Sequence, residues 1–206
     1  MSLESWLAYT LVTTTFLLIP GPTLLLVISY SLFRGRSTTI LALVFGVGLG
    51  DLTAMSLSFL GVGMLLQTVA TAFYFLKWLG AAYLIWLGIK MWRSASQPVE
   101  ISEKAKNRAW WEIFRNAYVT TALNPKSIVF FLAFMPQFME PDLPFISQAL
   151  VLGGTFFVLA IMSVVSYALL ASYAGQQLSL PSFQRWTQRL GGGLLIGAGG
   201  MTTVTS

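Results

Sequence analysis

Two short motifs hold most of the chemistry this chain can offer. Asn124-Pro125-Lys126 sets an amide, a proline and an amine side by side inside an apolar run, and Pro20-Gly21-Pro22 interrupts another. Proline lacks an N–H and clashes with the carbonyl four residues back, so each motif should break or kink a helix. Broken helices free backbone groups that can hold a substrate or an ion. The plainer reading of either motif is a packing kink, because Pro and Gly are common in membrane helices. Lys126 would cost about 2.5–3.5 kcal/mol at a bilayer centre unless a carboxylate or a watery cavity offsets it. Asp51, which follows Gly46, Gly48 and Gly50, is the one acid well inside an apolar run. Intramembrane acids mark proton relays and substrate paths by default. The alternative for Asp51 is a static ion pair with Lys77 or Lys126. Lys77 lies near the start of its run, where its amine could snorkel to the interface.

The elements around these residues follow from composition. Of 206 residues, 56% are apolar and 9% charged, with no Cys and no His. Soluble domains are usually about 45–50% apolar and about 25% charged. Mean hydropathy is +0.74. So few charges cannot cover a water-facing surface, and a membrane protein is the reading that survives. The lack of Cys and His excludes thiolate and imidazole metal sites, thiol nucleophiles, disulfides and His-centred triads. No cofactor, metal or catalytic group is implied, and an enzyme is not expected. The net charge of +5 points to anionic lipid headgroups and topology rather than to nucleic acid, because the basic residues flank apolar segments.

Six apolar runs can be counted: 6–33, 38–66, 73–91, 114–139, 145–173, and a shorter, Gly-rich 190–204. At 1.5 Å per residue the longer ones cross a hydrocarbon core of about 30 Å. Helices are expected, since a β-barrel would show repeated ten-residue alternation. Residues 93–113 form a charged connector between two halves, 1–92 and 114–206. The links after helices 1, 3 and 5 carry Arg34, Arg36, Lys90, Arg93, Lys104, Lys106, Arg108, Arg115, Arg185 and Arg189, while the opposite links carry Glu4, Glu140 and Asp142. The positive-inside rule then puts both termini outside the cytoplasm. In a bacterial inner membrane those ends are periplasmic.

The halves share a pattern. Pro20 and Asn124 each fall fourteen residues after a Trp (Trp6 and Trp110), and Leu79-Gly80, Leu84-Ile85 and Gly88 are spaced like Leu190-Gly191, Leu195-Ile196 and Gly199. Three spans per unit would make the repeats antiparallel. The expectation is therefore an all-α integral membrane protein of six transmembrane helices in two inverted three-helix repeats, with helices 1 and 4 broken.

At this point the chain resembles the LysE/RhtB family of amino-acid exporters. The resemblance rests on Pro20-Gly21-Pro22, the glycines before Asp51, the stretch from Leu76-Lys77-Trp78 to Gly88, Asn124-Pro125-Lys126 through Phe130-Phe131 to Pro136-Gln137-Phe138, and Arg189-Leu190-Gly191 to Gly199. Many members carry Gly where this chain has Ala117. The resemblance implies a multi-pass inner-membrane protein that expels an amino acid or a derivative, with the proton gradient as driving force and a homodimer as the suggested assembly. It also implies shared polar positions at Asp51, Lys77, Asn124, Lys126 and Gln137, with Pro20, Gly21, Pro22 and Pro125 shaping the path. In the mechanism this suggests, freed N–H groups and Lys126 face the substrate carboxylate. Asp51 faces its ammonium or exchanges a proton for it. Export of another small solute or cation, or a non-transport scaffold, are the alternatives.

Overall fold

The computed structural model describes residues 1–19, 21–34, 37–68, 108–140 and 142–174, together with scattered positions between 78 and 93 and between 185 and 200. The described residues are helical and contain no strand. α1 (Leu3–Leu18) and α2 (Pro22–Arg34) are a pair bent by 53°. α3 runs Ser37–Thr68, α4 Trp110–Ala122, and α5 begins at Pro125–Val129, continues as a π turn over Phe130–Phe134 and ends as a 3-10 turn over Met135–Phe138. α6 is Phe145–Ala174. Among the described residues three stretches are long and apolar enough to cross a membrane, Ser37–Gly61, Trp110–Phe138 and Phe145–Tyr173, with a fourth if the bent pair is one span. The expected third and sixth spans (73–91 and 190–204) and the connector 93–113 lie largely outside the described residues.

Local chemistry explains these forms. In lipid, polar side chains must be satisfied within the chain. Thr10, Thr14 and Thr15 of α1 donate to the carbonyls of Trp6, Thr10 and Leu11 at 2.7–2.9 Å. Pro22 opens α2 and Pro125 opens α5, where a missing N–H is harmless. Pro136 gives the opposite effect. It has no N–H for the carbonyl of Leu132, and the helix widens so that the Met135 N–H bonds to the Phe130 carbonyl.

Packing is set by small residues where backbones approach. α3 lies closely on α4: a Cβ on Gly46 would stand 2.6 Å from the Phe114 carbonyl oxygen and 2.7 Å from the Ala117 Cβ, and one on Gly50 would stand 2.7 Å from the Thr121 Cβ. The Gly46/Gly50 spacing is thus a packing device, and Ala117 fits because Gly46 faces it. The scattered positions include a similar approach, where a Cβ on either Gly88 or Gly192 would lie 2.6 Å from the other's carbonyl oxygen.

Among the described residues two large apolar clusters result, beside a small one of Ile28 and Ala171. One is aromatic and gathers Tyr9, Phe16, Phe130, Phe131, Phe134 and Phe156, with ring centroids 4.4 Å apart for Phe16 and Phe130 and 4.6 Å for Phe131 and Phe156. The other gathers Leu24, Val27, Tyr30, Leu43, Val47, Ile113 and Val164.

Gly50→Ala should lower stability by about 1–3 kcal/mol, the usual range for overpacking, whereas Gly154→Ala, whose Cβ would meet nothing within 4 Å, should be neutral. Thermal denaturation of the two variants in detergent checks this; equal melting would refute the close α3–α4 approach.

Candidate functional site

The site forms where α1 stops. Ile19 turns extended (φ −77°, ψ 115°); its N–H bonds back to the Phe16 carbonyl at 3.3 Å, and the carbonyls of Leu17, Leu18 and Ile19 are left without helical partners ahead of them. Side chains from two other helices meet them. The Lys126 Nζ donates to the carbonyl oxygens of Phe16 at 2.8 Å and Ile19 at 2.9 Å. The Tyr167 hydroxyl donates to Leu18 at 2.7 Å, and the Ser163 hydroxyl reaches Leu17 at 3.5 Å. The Phe16 ring lies 4.2 Å from the Lys126 Nζ and covers a further side of the ammonium. Two hydrogen bonds from a charged donor contribute about 1.5–3 kcal/mol each, enough to offset the cost of holding a lysine within a span. The amine is therefore retained in the interior, and Lys126 is buried.

Asn124 aims that lysine. As N-cap of α5 it accepts from the Lys126 backbone N–H at 3.0 Å, and Pro125 follows at the first helical position. Its amide nitrogen donates to the Thr23 hydroxyl at 3.2 Å, and Thr23 pairs with Thr121 at 3.3 Å. The break in helix 1, the start of α5 and the end of α4 are thereby tied together.

Asp51 approaches from α3. It is 5% exposed. Among the described residues no donor hydrogen-bonds to its carboxyl group and no cation pairs with it. Asp51, Asn124 and Lys126 line one cavity of about 40 Å³, with Thr23, Ser127 and Ser163 as its other hydroxyl-bearing walls. Such a volume holds about three waters. The cavity lies at the seam of the two clusters: Phe16, Ile19 and Ala160 come from the aromatic one, and Leu24, Val47 and Val164 from the other. A small space with one partnered cation, one unpartnered acid and neutral hydroxyls is equipped to bind a small polar molecule.

The remaining residues singled out in the sequence are placed as follows. Gly21 also lines the cavity, where a Cβ would touch the Lys126 side chain at 3.4 Å. Pro22 and Pro125 begin helices on either side. Gln137 lies on the 3-10 turn and donates to the Ala133 carbonyl at 2.7 Å, away from the cavity lining. Lys77 and Pro20 lie outside the described residues. Phe16, Thr23, Ser127, Ser163 and Tyr167 were not singled out. Ser163 and Tyr167, four apart in a strongly apolar helix, were the available signal, since a polar pair on one face of a span needs a partner. Among the described residues no group of three or more acidic side chains is positioned to hold a metal.

The family model described as LysE type translocator matches residues 14–205. The chain is 35% identical over 203 residues to a homoserine/homoserine lactone efflux protein of Salmonella typhi, covering 96% of each chain. Its identity to the protein of the same description from Salmonella typhimurium is also 35%, with the same coverage. It is 34% identical over 199 residues to an uncharacterized membrane protein of Vibrio cholerae, covering 97% of this chain and 96% of the relative. No solved structure matches the chain.

Asn124→Ala removes both the cap and the link to Thr23 and should destabilise the protein by about 0.5–2 kcal/mol. Asn124→Asp, which keeps a cap acceptor, should recover part of that loss. Denaturant titration in mixed micelles reads both, and an unchanged midpoint for Asn124→Ala would show that the cap does not hold α5.

Proposed function

This chain belongs to the LysE type translocator family, and on that premise we propose that it exports an amino acid or amino-acid derivative across the bacterial inner membrane in exchange for protons. The family is one of transporters, and the chain is a membrane protein built for export rather than catalysis. The observation that carries the finer reading is the buried, unpartnered Asp51 facing the same small cavity as Lys126 beside a broken helix. The two Salmonella relatives, described as homoserine/homoserine lactone efflux proteins, favour a small, uncharged-side-chain substrate.

An ionised carboxylate with no partner has nothing to offset its desolvation. In this reading Asp51 is completed in turn by a proton and by the ammonium of the substrate. Substrate entering from the cytoplasm displaces the proton from the Asp51 carboxyl. After release on the far side, a proton from outside takes its place and the cycle resets. Binding of one excludes the other at the same oxygen atoms, and exchange is obligatory as long as the empty carrier, with its bare Asp51 carboxylate, does not switch faces.

The architecture proposed with it is six spans in two inverted repeats, with halves at 1–92 and 114–206. In support, the order of a broken helix followed by a long unbroken one occurs twice, as α1, α2, α3 and as α4, α5, α6. Both termini are proposed to be periplasmic, on the charge bias of the links, with the basic links facing anionic lipid headgroups of the cytoplasmic leaflet.

The test is efflux from cells preloaded with dipeptides, following a panel of free amino acids outside, for the parent chain and for Asp51→Asn at equal membrane abundance. An outward-acidic pH gradient should accelerate export by the parent, and Asp51→Asn should lose at least about 90% of that acceleration, a tenfold change equivalent to about 1.4 kcal/mol. Full gradient-driven export by the variant at every pH would exclude Asp51 as proton carrier. Failure of the parent to move any amino acid or derivative would exclude the function.

A further inference from the structure

Between the cavity and the face that carries Ser2 and Glu140, the interior is filled by rings. Phe16 lines the cavity and meets Phe130, their centroids 4.4 Å apart. Phe130 packs on Phe134 at 5.2 Å, Phe134 on Phe138 at 5.3 Å, and Phe138 stands edge-on to Tyr9 at 5.3 Å. From Phe16 to Tyr9 the plug is about 10 Å deep along α1. The Tyr9 hydroxyl is spent on the Leu152 carbonyl at 3.1 Å. The rings therefore meet through apolar surfaces, which a charged solute cannot cross without a large desolvation cost.

The two sides of the plug are held differently. α1 is bonded to α6 along its length, by the Trp6 indole N–H to the Thr155 hydroxyl at 3.1 Å, by Tyr9 to Leu152, and by Tyr167 to Leu18. α5 is pinned to α1 at its start, through Lys126. At its far end Glu140 is half-exposed and accepts from the Ser2 N–H at 2.7 Å, a bond that water can replace at little net cost. Between these points lie the π turn Phe130–Phe134 and the 3-10 turn Met135–Phe138. Pro136 withholds an N–H there, and the Gln137 side chain donates to the Ala133 carbonyl at 2.7 Å. Such changes of hydrogen-bond register within one helix mark hinges.

We propose that the rings of Tyr9, Phe16, Phe130, Phe134 and Phe138 are the gate on this face, which is periplasmic in the proposed orientation. The gate opens when the end of α5 beyond the π turn swings away from α1 while the Lys126 end stays pinned. Phe134 and Phe138 leave with that end, and the Phe130 ring gains room to turn off Phe16. The inference rests on the reading of this cavity as the substrate site. It gives the Pro136-Gln137-Phe138 stretch a task apart from the cavity, as the hinged arm that closes it.

The chain has no cysteine, so an introduced thiol reports alone. Ser127→Cys places one in the cavity wall, beneath the plug. The probe is the membrane-impermeant trimethylammonium ethyl methanethiosulfonate, added to sealed vesicles of either orientation. Adding Phe134→Ala should speed labelling from the Glu140 face at least about tenfold and leave the rate from the opposite face unchanged. A rate raised equally from both faces, as a loosened fold gives, or raised from neither, would overturn the gate. In a second variant, Ser2→Cys with Glu140→Cys, a short reducible bis-methanethiosulfonate bridge should stop amino-acid export, and reduction should restore it. The same bridge between Trp6→Cys and Thr155→Cys should leave export running, because α1 and α6 stay together. Export that survives the first bridge, or that both bridges stop equally, would overturn the swing of α5. A parent chain that exports no amino acid overturns the functional reading, and the labelling rates still decide the gate.

Discussion

The structure depends on the carbonyls at the end of α1, of which, among the described residues, only that of Phe16 finds a backbone N–H, from Ile19. A helix that stops inside a bilayer leaves its last C=O groups without N–H partners and without water, and each would be costly if left so. The chain meets this demand with side chains rather than with more helix. Lys126 takes Phe16 and Ile19, Tyr167 takes Leu18, and Ser163 reaches Leu17. Each of these contacts spans more than a hundred residues of sequence, so the break is stable only when α5 and α6 are docked against it. That makes the irregular segment an organiser of the tertiary fold.

The same contacts explain the placement of the other polar groups. Lys126 can reach the break because Asn124 starts α5 at a fixed height, and Asn124 is held by Thr23, just past the break on the α2 side. Asp51 arrives at the cavity because α3 can lie directly on α4, and it can do so because Gly46 and Gly50 have no side chains where Ala117 and Thr121 come close. Substituting a larger residue at either glycine would shift the helix that carries the acid, not only loosen the packing. Site geometry and helix packing are therefore one problem in this protein.

Much of this was legible in the sequence, for identifiable reasons. Prolines inside apolar runs have few structural meanings, and both motifs fall at helix boundaries as their chemistry requires. Charges inside apolar runs are rarer still, and Asp51 and Lys126 meet at one cavity. What could not be read was the direction of the lysine side chain. Its partners are backbone oxygens, which every residue has, so no residue type announces them. The Ser163 and Tyr167 pair was a visible but weak signal, because a hydroxyl in a span is most often bonded to its own helix, as Thr155 and Ser172 are here. The π turn at Phe130–Phe134 was legible in principle, since Pro136 removes the N–H that an α-helix would need.

The division of labour between the two buried charges follows from what each can bond to. An ammonium donates, and a helix C-terminus offers only acceptors, so a lysine is the side chain that can close an α1-type break without any outside ion. A carboxylate accepts, and the end of α1 offers it only more acceptors, while at the start of α5 the N–H groups of Lys126 and Ile128 are already taken by the Asn124 side chain and carbonyl. Asp51 is consequently left facing the cavity while Lys126 is drawn into the wall. Exchanging the two residues would leave the break with repelling oxygens and the cavity with a free amine. The arrangement is thus directional: the cation fixes the scaffold, and the anion remains available to whatever enters.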